Sequence, residues 1–142
     1  MKSKDLKFGI IGSGSWGTAI IKIISENLNN IYWYVRKNEN VEFIKKNKHN
    51  KNYLSSVNLN TKKLNISSEI NEVCKNSEIL IFAVPSKYIE SELKKIEIDL
   101  SKKFIISAIK GIVPESNLLF SEHLQKNYKI SSNNVAVISG PC

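Results

Sequence analysis

Short apolar runs recur along the chain, separated by segments that carry helical spacing or turn-forming residues. Apolar runs of this length, bounded by polar residues, Gly or Pro, are typical of strands that are buried on both faces of a sheet. They predict strands at Lys7 to Ile11, Ile31 to Val35, Ile79 to Val84, Phe104 to Ala108 and Val135 to Ser139, with a smaller strand at Leu64 to Ile66.

The segments between these strands carry apolar residues three and four positions apart, which is the spacing of helices that cover a sheet. The predicted helices are Ser15 to about Leu28, Val41 to Lys48, Ser68 to Asn76, a helix with Ser86 as its N-cap, and Pro114 to about Asn127. Strands that alternate with helices in this way predict an α/β fold, a doubly wound parallel sheet of the Rossmann type.

Two stretches outside the strands lead to more detailed expectations. In the last helix, Leu118, Leu119 and Leu124 are predicted to point inward and His123 to lie on the polar face. The polar stretch from His49 to Lys63 reads as a long loop. His49 has no partner at the spacing of a metal site or a catalytic triad, so it is interpreted as a surface residue.

The composition indicates one domain, residues 1–142. The chain is 42% hydrophobic, and it contains no uninterrupted apolar stretch of membrane-spanning length. The net charge of +8 raises the question of nucleic-acid binding, but 20 of the 21 basic residues are lysines spread along the whole chain. No basic stripe with interleaved aromatic residues is present in the sequence, so neither nucleic acid nor a membrane is expected as a partner.

The N-terminus and the cysteines favour a reducing cytoplasm. Residues 1–6 are rich in Lys and Asp and precede no apolar signal core, which argues against export. Cys74 and Cys142 form no C-x-x-C pair and have no histidine at metal spacing. We therefore expect two free thiols, Cys74 on a helix and partly buried, and no metal.

A glycine-rich motif follows the first strand. Gly12, Gly14 and Gly17 form G-x-G-x-x-G between an apolar strand and an amphipathic helix, the context of a dinucleotide-binding loop. In such a loop the first glycine permits a tight turn, the second leaves room for a pyrophosphate, and the third allows close packing of helix and strand. The first-turn N–H groups from Ser15 onward would face the phosphates.

The end of the second strand bears on the choice of cofactor. NAD-specific folds usually have an acidic residue about 20 residues beyond the glycine motif, where it binds the ribose 2′-hydroxyl. Arg36 and Lys37 stand there instead and suit a 2′-phosphate, which predicts that NADP is accepted at least as readily as NAD. The alternative is a solvated basic turn, with Glu39 or Glu42 taking the acidic role.

Ligands of doubly wound sheets bind outside the carboxyl ends of the strands. Lys110 follows the Phe104 to Ala108 strand and so belongs to this edge, where its ammonium could polarise a carbonyl or hold an anionic substrate. An ordinary surface lysine explains the same position equally well.

Four motifs in order resemble glycerol-3-phosphate dehydrogenase of the bacterial, NAD(P)-linked type. They are G-S-G-S-W-G-T-A at Gly12 to Ala19, A-V-P-S at Ala83 to Ser86, I-K-G at Ile109 to Gly111 and V-I-S-G-P at Val137 to Pro141. The segment H-N-K-N-Y-L at His49 to Leu54 also resembles a loop of this family. The resemblance covers nearly the whole chain, which corresponds to the cofactor-binding half of a family member.

The resemblance implies roles for individual residues. Ser15 and Trp16 match positions that contact the nicotinamide cofactor, Arg36 matches the position at the adenosine ribose, and Lys110 matches a lysine that touches both cofactor and substrate. Gly140 and Cys142 match a substrate-binding turn, with Cys142 standing where Ser or Thr is common. The family's general acid/base lysine belongs to a helical C-terminal domain that has no counterpart in these 142 residues.

The resemblance further implies NADP and NAD as cofactors and dihydroxyacetone phosphate and glycerol 3-phosphate as substrates. The reaction would be reversible hydride transfer that supplies glycerophospholipid synthesis, with a homodimer left open for a longer form. This chain alone is expected to be inactive. Two alternatives stay open: a module that binds NAD(P) without turnover, and another two-domain hydroxyacid or ketoacid reductase.

Overall fold

The computed structural model describes residues 6–139. Within this range, short apolar segments form strands and the amphipathic segments between them form helices, as their spacing predicts. The strands are β1 (Phe8–Ile11), β2 (Ile31–Tyr34), β3 (Leu64–Ser67), β4 (Ile79–Phe82), β5 (Phe104–Ser107), β6 (Ile112–Val113), β7 (Leu118–Leu119) and β8 (Val135–Val137). The helices are α1 (Ser15–Ser25), α2 (Asn38–Asn47), α3 (Ile70–Asn76), α4 (Ser86–Leu93) and α5 (Phe120–Tyr128).

Six of the strands form one parallel sheet in the order β3-β2-β1-β4-β5-β8. The chain moves outward from β1 to β2 and β3, then returns to the other side of β1 and continues through β4 and β5 to β8. The strand order therefore reverses at β1 and opens a crevice between the carboxyl ends of β1 and β4, which is where ligands of such sheets bind. The predicted doubly wound fold is confirmed.

Each face of the sheet is covered by its own apolar core. On one face, Ile10, Trp33 and Ile81 pack with residues of α1 and α2 and with Leu59 from the long loop. The opposite face packs Ile11, Tyr34, Leu80, Phe82 and Ile105 against α3, α4 and α5. Residues next to each other in a strand thus belong to different cores, because successive side chains in a strand point to opposite faces.

The predicted helix from Pro114 to Asn127 is wrong in its first half. The chain there forms an antiparallel hairpin of β6 and β7, and α5 begins only at Phe120. Asn117 adopts the left-handed backbone conformation at φ 54°, which a helix cannot contain, and the Glu122 carboxylate accepts from the Leu119 N–H at 3.0 Å at the helix start. Leu124 is buried as expected, whereas Leu119 is 53% exposed and Leu118 only half-buried.

Three smaller expectations also need correction. Ser86 is not an N-cap: it is the first residue of α4, preceded by Pro85, and no side chain caps this end. Cys74 is fully buried, not partly, because it lies on the face of α3 that packs against the sheet. The loop after α2 is confirmed apart from one short 3₁₀ turn at Thr61–Lys63.

Candidate functional site

The glycine loop is held tightly between β1, α1 and β4. Gly12 has φ +123°, and a Cβ atom on it would lie 2.5 Å from the Ala83 carbonyl oxygen. A Cβ atom on Gly17 would collide with the Gly12 carbonyl. A side chain at Gly12 would push β1 and the end of β4 apart, and one at Gly17 would push helix and strand apart. The left-handed turn at Gly12 and the close packing at Gly17 are the roles that the sequence predicts for these two glycines.

Gly14 serves a different purpose from the other two glycines. It caps α1 with an extended backbone, φ −74° and ψ −170°, and a Cβ atom built on it would have no neighbour within 4 Å. The open space lies at the start of α1, where first-turn N–H groups have no partner within the helix and carry the positive end of the helix dipole. This is a cradle that fits a phosphate group.

Two side chains from distant parts of the chain hold this loop in shape. The Trp33 indole N–H of β2 donates to the Gly12 carbonyl at 2.9 Å. The buried Asn50 amide donates to the Ser13 carbonyl and to the Thr18 hydroxyl, both at 2.9 Å. The backbone of the glycine loop is therefore fixed before any ligand arrives, which lowers the entropy cost of binding.

Sequence reasoning missed Asn50. It stands among other polar residues in a predicted loop, and its partner Ser13 is 37 residues away, so no periodic pattern marks it. The available signal is its place in the H-N-K-N-Y-L segment that resembles the family loop.

A cleft of about 470 Å³ opens beside the glycine loop. Its walls come from Gly12 to Gly14, from the end of β2 with Arg36 and Lys37, from the loop at Lys51 to Tyr53, and from the start of α4. The predicted site residues Gly12, Gly14 and Arg36 thus share one cavity. Among the described residues, Ser15 and Trp16 are exposed at the start of α1, outside the lining of this cleft.

The cleft carries charges of both signs. Arg36, Lys37 and Lys51 line it together with Glu39, and Lys37 Nζ lies 3.6 Å from a Glu39 carboxylate oxygen. Deeper in the cleft, Tyr34 and Glu92 are both buried. Burial, and then the neighbouring Glu92 carboxylate, raise the pKa of the Tyr34 hydroxyl well above its ordinary value, so Tyr34 stays neutral and acts as a hydrogen-bond donor.

Lys110 lies in the loop between β5 and β6, at the carboxyl edge of the sheet, and its side chain is exposed. The loop turns at Gly111, which has φ +81°. Lys110 does not line the 470 Å³ cleft, so its contact with a ligand stays a prediction. Gly140 and Cys142, predicted to bind substrate, lie outside the described residues.

The prediction that His123 lies on a polar face is wrong, because its ring is 2% exposed. Its Nε2 atom lies 2.8 Å from the Glu90 carboxylate of α4, and its Nδ1 atom lies 2.9 Å from the Ser116 hydroxyl and 3.0 Å from the Asn127 amide. The residue joins α4, the β6–β7 hairpin and α5. His49, the other histidine, is half-buried with its ring edge-on to Phe43, 5.2 Å between centroids.

The structure of residues 6–139 also bears on metal binding, on membrane insertion and on the reactivity of Cys74. In this range no three His, Cys, Asp or Glu side chains come together in a way that could hold a metal ion. None of the helices described combines the length and the apolarity needed to cross a membrane. Burial raises the pKa of the Cys74 thiol to about 12, so this cysteine is not a reactive nucleophile in the folded state.

Comparison with known proteins shows the family to which the chain belongs. The family model of the NAD-dependent glycerol-3-phosphate dehydrogenase N-terminus matches residues 7–142. The chain belongs to this family. A glycerol-3-phosphate dehydrogenase [NAD(P)+] of Halothermothrix orenii is 35% identical over 136 residues, and one of Neorickettsia sennetsu is 34% identical over 133 residues. The matches cover 95% and 93% of this chain and 39% of each relative.

Solved structures agree with the family assignment. The glycerol-3-phosphate dehydrogenase of Plasmodium falciparum matches with a TM-score of 0.79 and 31% identity, covering 98% of this chain and 42% of that one. The enzyme of Coxiella burnetii matches with a TM-score of 0.76 at 21% identity, which supports the fold, and covers 96% of this chain and 41% of that one. The chain thus spans about two fifths of the length of the proteins that it matches.

Proposed function

We propose that this chain binds NAD(H) or NADP(H) across the Gly12-to-Gly17 loop and is the cofactor-binding part of a glycerol-3-phosphate dehydrogenase. The observation that carries the proposal is the open cradle at Gly14, which faces a 470 Å³ cleft at the point where the strand order of the sheet reverses. The family membership of residues 7–142 supports the same cofactor.

Each group of the site has a separate task in this proposal. The first-turn N–H groups of α1 hold the pyrophosphate, with Ser15 and Trp16 on the side of the nicotinamide and Arg36 on the side of the adenosine ribose. Arg36 can pair a 2′-phosphate with two parallel hydrogen bonds, so NADP is accepted at least as readily as NAD. Asn50 and Trp33 keep the loop rigid through their hydrogen bonds to its carbonyls.

The proposed reaction is the reversible reduction of dihydroxyacetone phosphate to sn-glycerol 3-phosphate by the longer protein. The bound nicotinamide supplies the hydride. Lys110 would stabilise negative charge on the substrate carbonyl oxygen, and Gly140 and Cys142 would contact the substrate. A general acid/base lysine would come from sequence beyond these residues, and the product would feed glycerophospholipid synthesis in the cytoplasm.

A domain exchange tests the proposed reaction. Residues 1–142 would replace the matching region of the Halothermothrix orenii relative, and oxidation of NADPH and NADH would be followed with dihydroxyacetone phosphate. We expect turnover that depends on this substrate and falls about 10²-fold or more with Lys110→Ala, the size typical of losing one positioned charge-stabilising group. A folded exchange protein that binds the cofactor but never reduces dihydroxyacetone phosphate would contradict the proposal.

A further inference from the structure

A buried carboxylate, that of Glu92, lies in the cleft beside the glycine loop. Neither the glycine motif nor the family resemblance assigns a role to this residue. Glu92 is 4% exposed and lines the cleft together with Tyr34, Pro85 and Tyr88. Glu92 stands six residues after Ser86, the first residue of α4, and the start of α4 borders the crevice. Six residues correspond to about 9 Å along the helix axis. The carboxylate therefore lies deep in the cleft, away from the phosphate cradle.

The contacts of Glu92 fix the orientation of its carboxylate. Lys95 Nζ lies 3.0 Å from each carboxylate oxygen, and the Tyr34 hydroxyl neighbours the same carboxylate. An ionised carboxylate offers about four lone-pair sites. The Lys95 contacts use two of them and the Tyr34 hydroxyl stands next to the carboxylate, so acceptor capacity is left toward the cleft.

The walls around this acceptor suit a flat heterocycle. Pro85 and the ring of Tyr88, which is 43% exposed, come from α4, and Arg36 comes from the facing end of β2. Aromatic rings and guanidinium planes are the surfaces on which nucleobases stack. Because Arg36 is assigned to the adenosine side of the proposed site, the flat heterocycle at this end of the cleft would be the adenine.

We propose that Glu92 recognises the adenine of the cofactor by accepting a hydrogen bond from its exocyclic 6-amino group, and so selects adenine over other bases. The proposal rests on the proposed cofactor function. A carboxylate accepts hydrogen bonds and cannot donate them, so it favours an amino group at this position and repels a carbonyl oxygen. Hypoxanthine differs from adenine at this group, with an oxygen at position 6, and is therefore the discriminating base.

The test compares NADH with reduced nicotinamide hypoxanthine dinucleotide by calorimetric titration of the 142-residue chain. We expect the hypoxanthine cofactor to bind at least about tenfold more weakly, because one charge-assisted hydrogen bond is lost. In Glu92→Gln, an amide of the same size can donate as well as accept, so the ratio of the two affinities should fall close to one. Glu90→Gln, on the same helix but facing His123, should leave the ratio as in the wild type.

The outcomes separate this inference from the function on which it rests. Equal binding of both dinucleotides by the wild type would overturn the role of Glu92 and leave cofactor binding intact, and this comparison needs no variant to fold. A Glu92→Gln protein that loses affinity for both cofactors equally would also overturn it, because the carboxylate would then not read the base. If the wild type binds neither dinucleotide, the proposed function itself fails.

Discussion

At the scale of single residues, Arg36 and Glu92 bring opposite charges to one cleft. Arg36 is exposed at the end of β2, whereas Glu92 is buried behind it and paired with Lys95. The position that is acidic in NAD-specific folds is thus basic here, and the buried carboxylate of the cleft comes from α4. Cofactor preference can therefore be changed at Arg36 without removing Glu92.

We expect the wild-type chain to bind NADPH at least as well as NADH and Arg36→Asp to prefer NADH. The guanidinium pairs with the 2′-phosphate, while an aspartate repels it and accepts from a free 2′-hydroxyl. The change in preference should be about 1.5–3 kcal/mol, the worth of a hydrogen bond to a charged group. Calorimetric titration measures it, with the exposed Lys46→Asp on α2 as a control of equal charge change. A wild type that strongly prefers NADH would contradict this expectation.

The buried thiol of Cys74 makes the free energy of unfolding decrease as the pH rises above about 8.5. Its pKa is raised to about 12 by burial, whereas an unfolded thiol titrates near about 8.5. Above the unfolded pKa the unfolded chain loses this proton and the folded chain keeps it, so the stabilising contribution is complete below about pH 8.5 and is lost as pH rises toward 12.

The measurement is the free energy of unfolding in urea at pH 8.5 and pH 9.5, below the ordinary tyrosine pKa of about 10. Wild-type stability should fall by up to about 1.4 kcal/mol per pH unit more than that of Cys74→Ala, which lacks the thiol. Parallel pH profiles for the two proteins would show that the thiol ionises as readily in the fold as outside it.

At the scale of elements, the hairpin β6–β7 depends on His123. Ser116 of the hairpin and Glu90 of α4 both bind its ring, at 2.9 and 2.8 Å. Without the ring, one oxygen of the mostly buried Glu90 carboxylate and the Ser116 hydroxyl lose a hydrogen-bond partner, while Lys94 stays 3.7 Å from the other carboxylate oxygen. The hairpin follows directly on Lys110 and Gly111, so its anchoring also fixes the path of the loop that holds Lys110.

His123→Ala should therefore reduce the free energy of unfolding by about 1–3 kcal/mol, the cost of leaving buried polar groups unsatisfied. Urea denaturation measures the change. Gln125→Ala, an exposed position on the same helix, should change it by less than about 0.5 kcal/mol. If both variants unfold at the same urea concentration, the His123 contacts do not stabilise the fold.

The elements differ in how far the sequence predicts them. The sheet, α1 and the glycine loop follow from local patterns: apolar runs, helical spacing and three glycines. The hairpin does not, because Leu118, Leu119 and Leu124 fit helical spacing and the turn at Asn117 has no distinctive motif. Asn50 and His123 escape prediction for another reason, since their burial depends on partners 37 and 33 residues away in sequence.

At the scale of the whole molecule, the chain has a preformed phosphate cradle at Gly14 but spans only about two fifths of the length of the relatives that it matches. By itself, the 142-residue chain should bind cofactor weakly and show no measurable oxidation of NADPH with dihydroxyacetone phosphate. Loss of a positioned acid/base group typically lowers the reaction rate 10²–10⁴-fold. In an open site, water also screens the charges that would stabilise the transition state, which lowers the rate further. Turnover at about 1–10³ s⁻¹, the ordinary range of enzymes, would show that the catalytic groups are already present.

If the dinucleotide binds at Gly14, a negative charge placed there weakens binding, and titration of NADPH and NADH into the wild type and Gly14→Asp measures this effect. Asp is a favoured N-cap, and a Cβ at Gly14 meets no other atom within 4 Å, so the variant should keep its melting temperature. Its carboxylate would occupy the phosphate cradle and repel the pyrophosphate, so we predict that affinity for both cofactors falls more than about tenfold, or 1.4 kcal/mol. A folded Gly14→Asp protein that binds both cofactors as tightly as the wild type would show that the pyrophosphate does not bind at the start of α1.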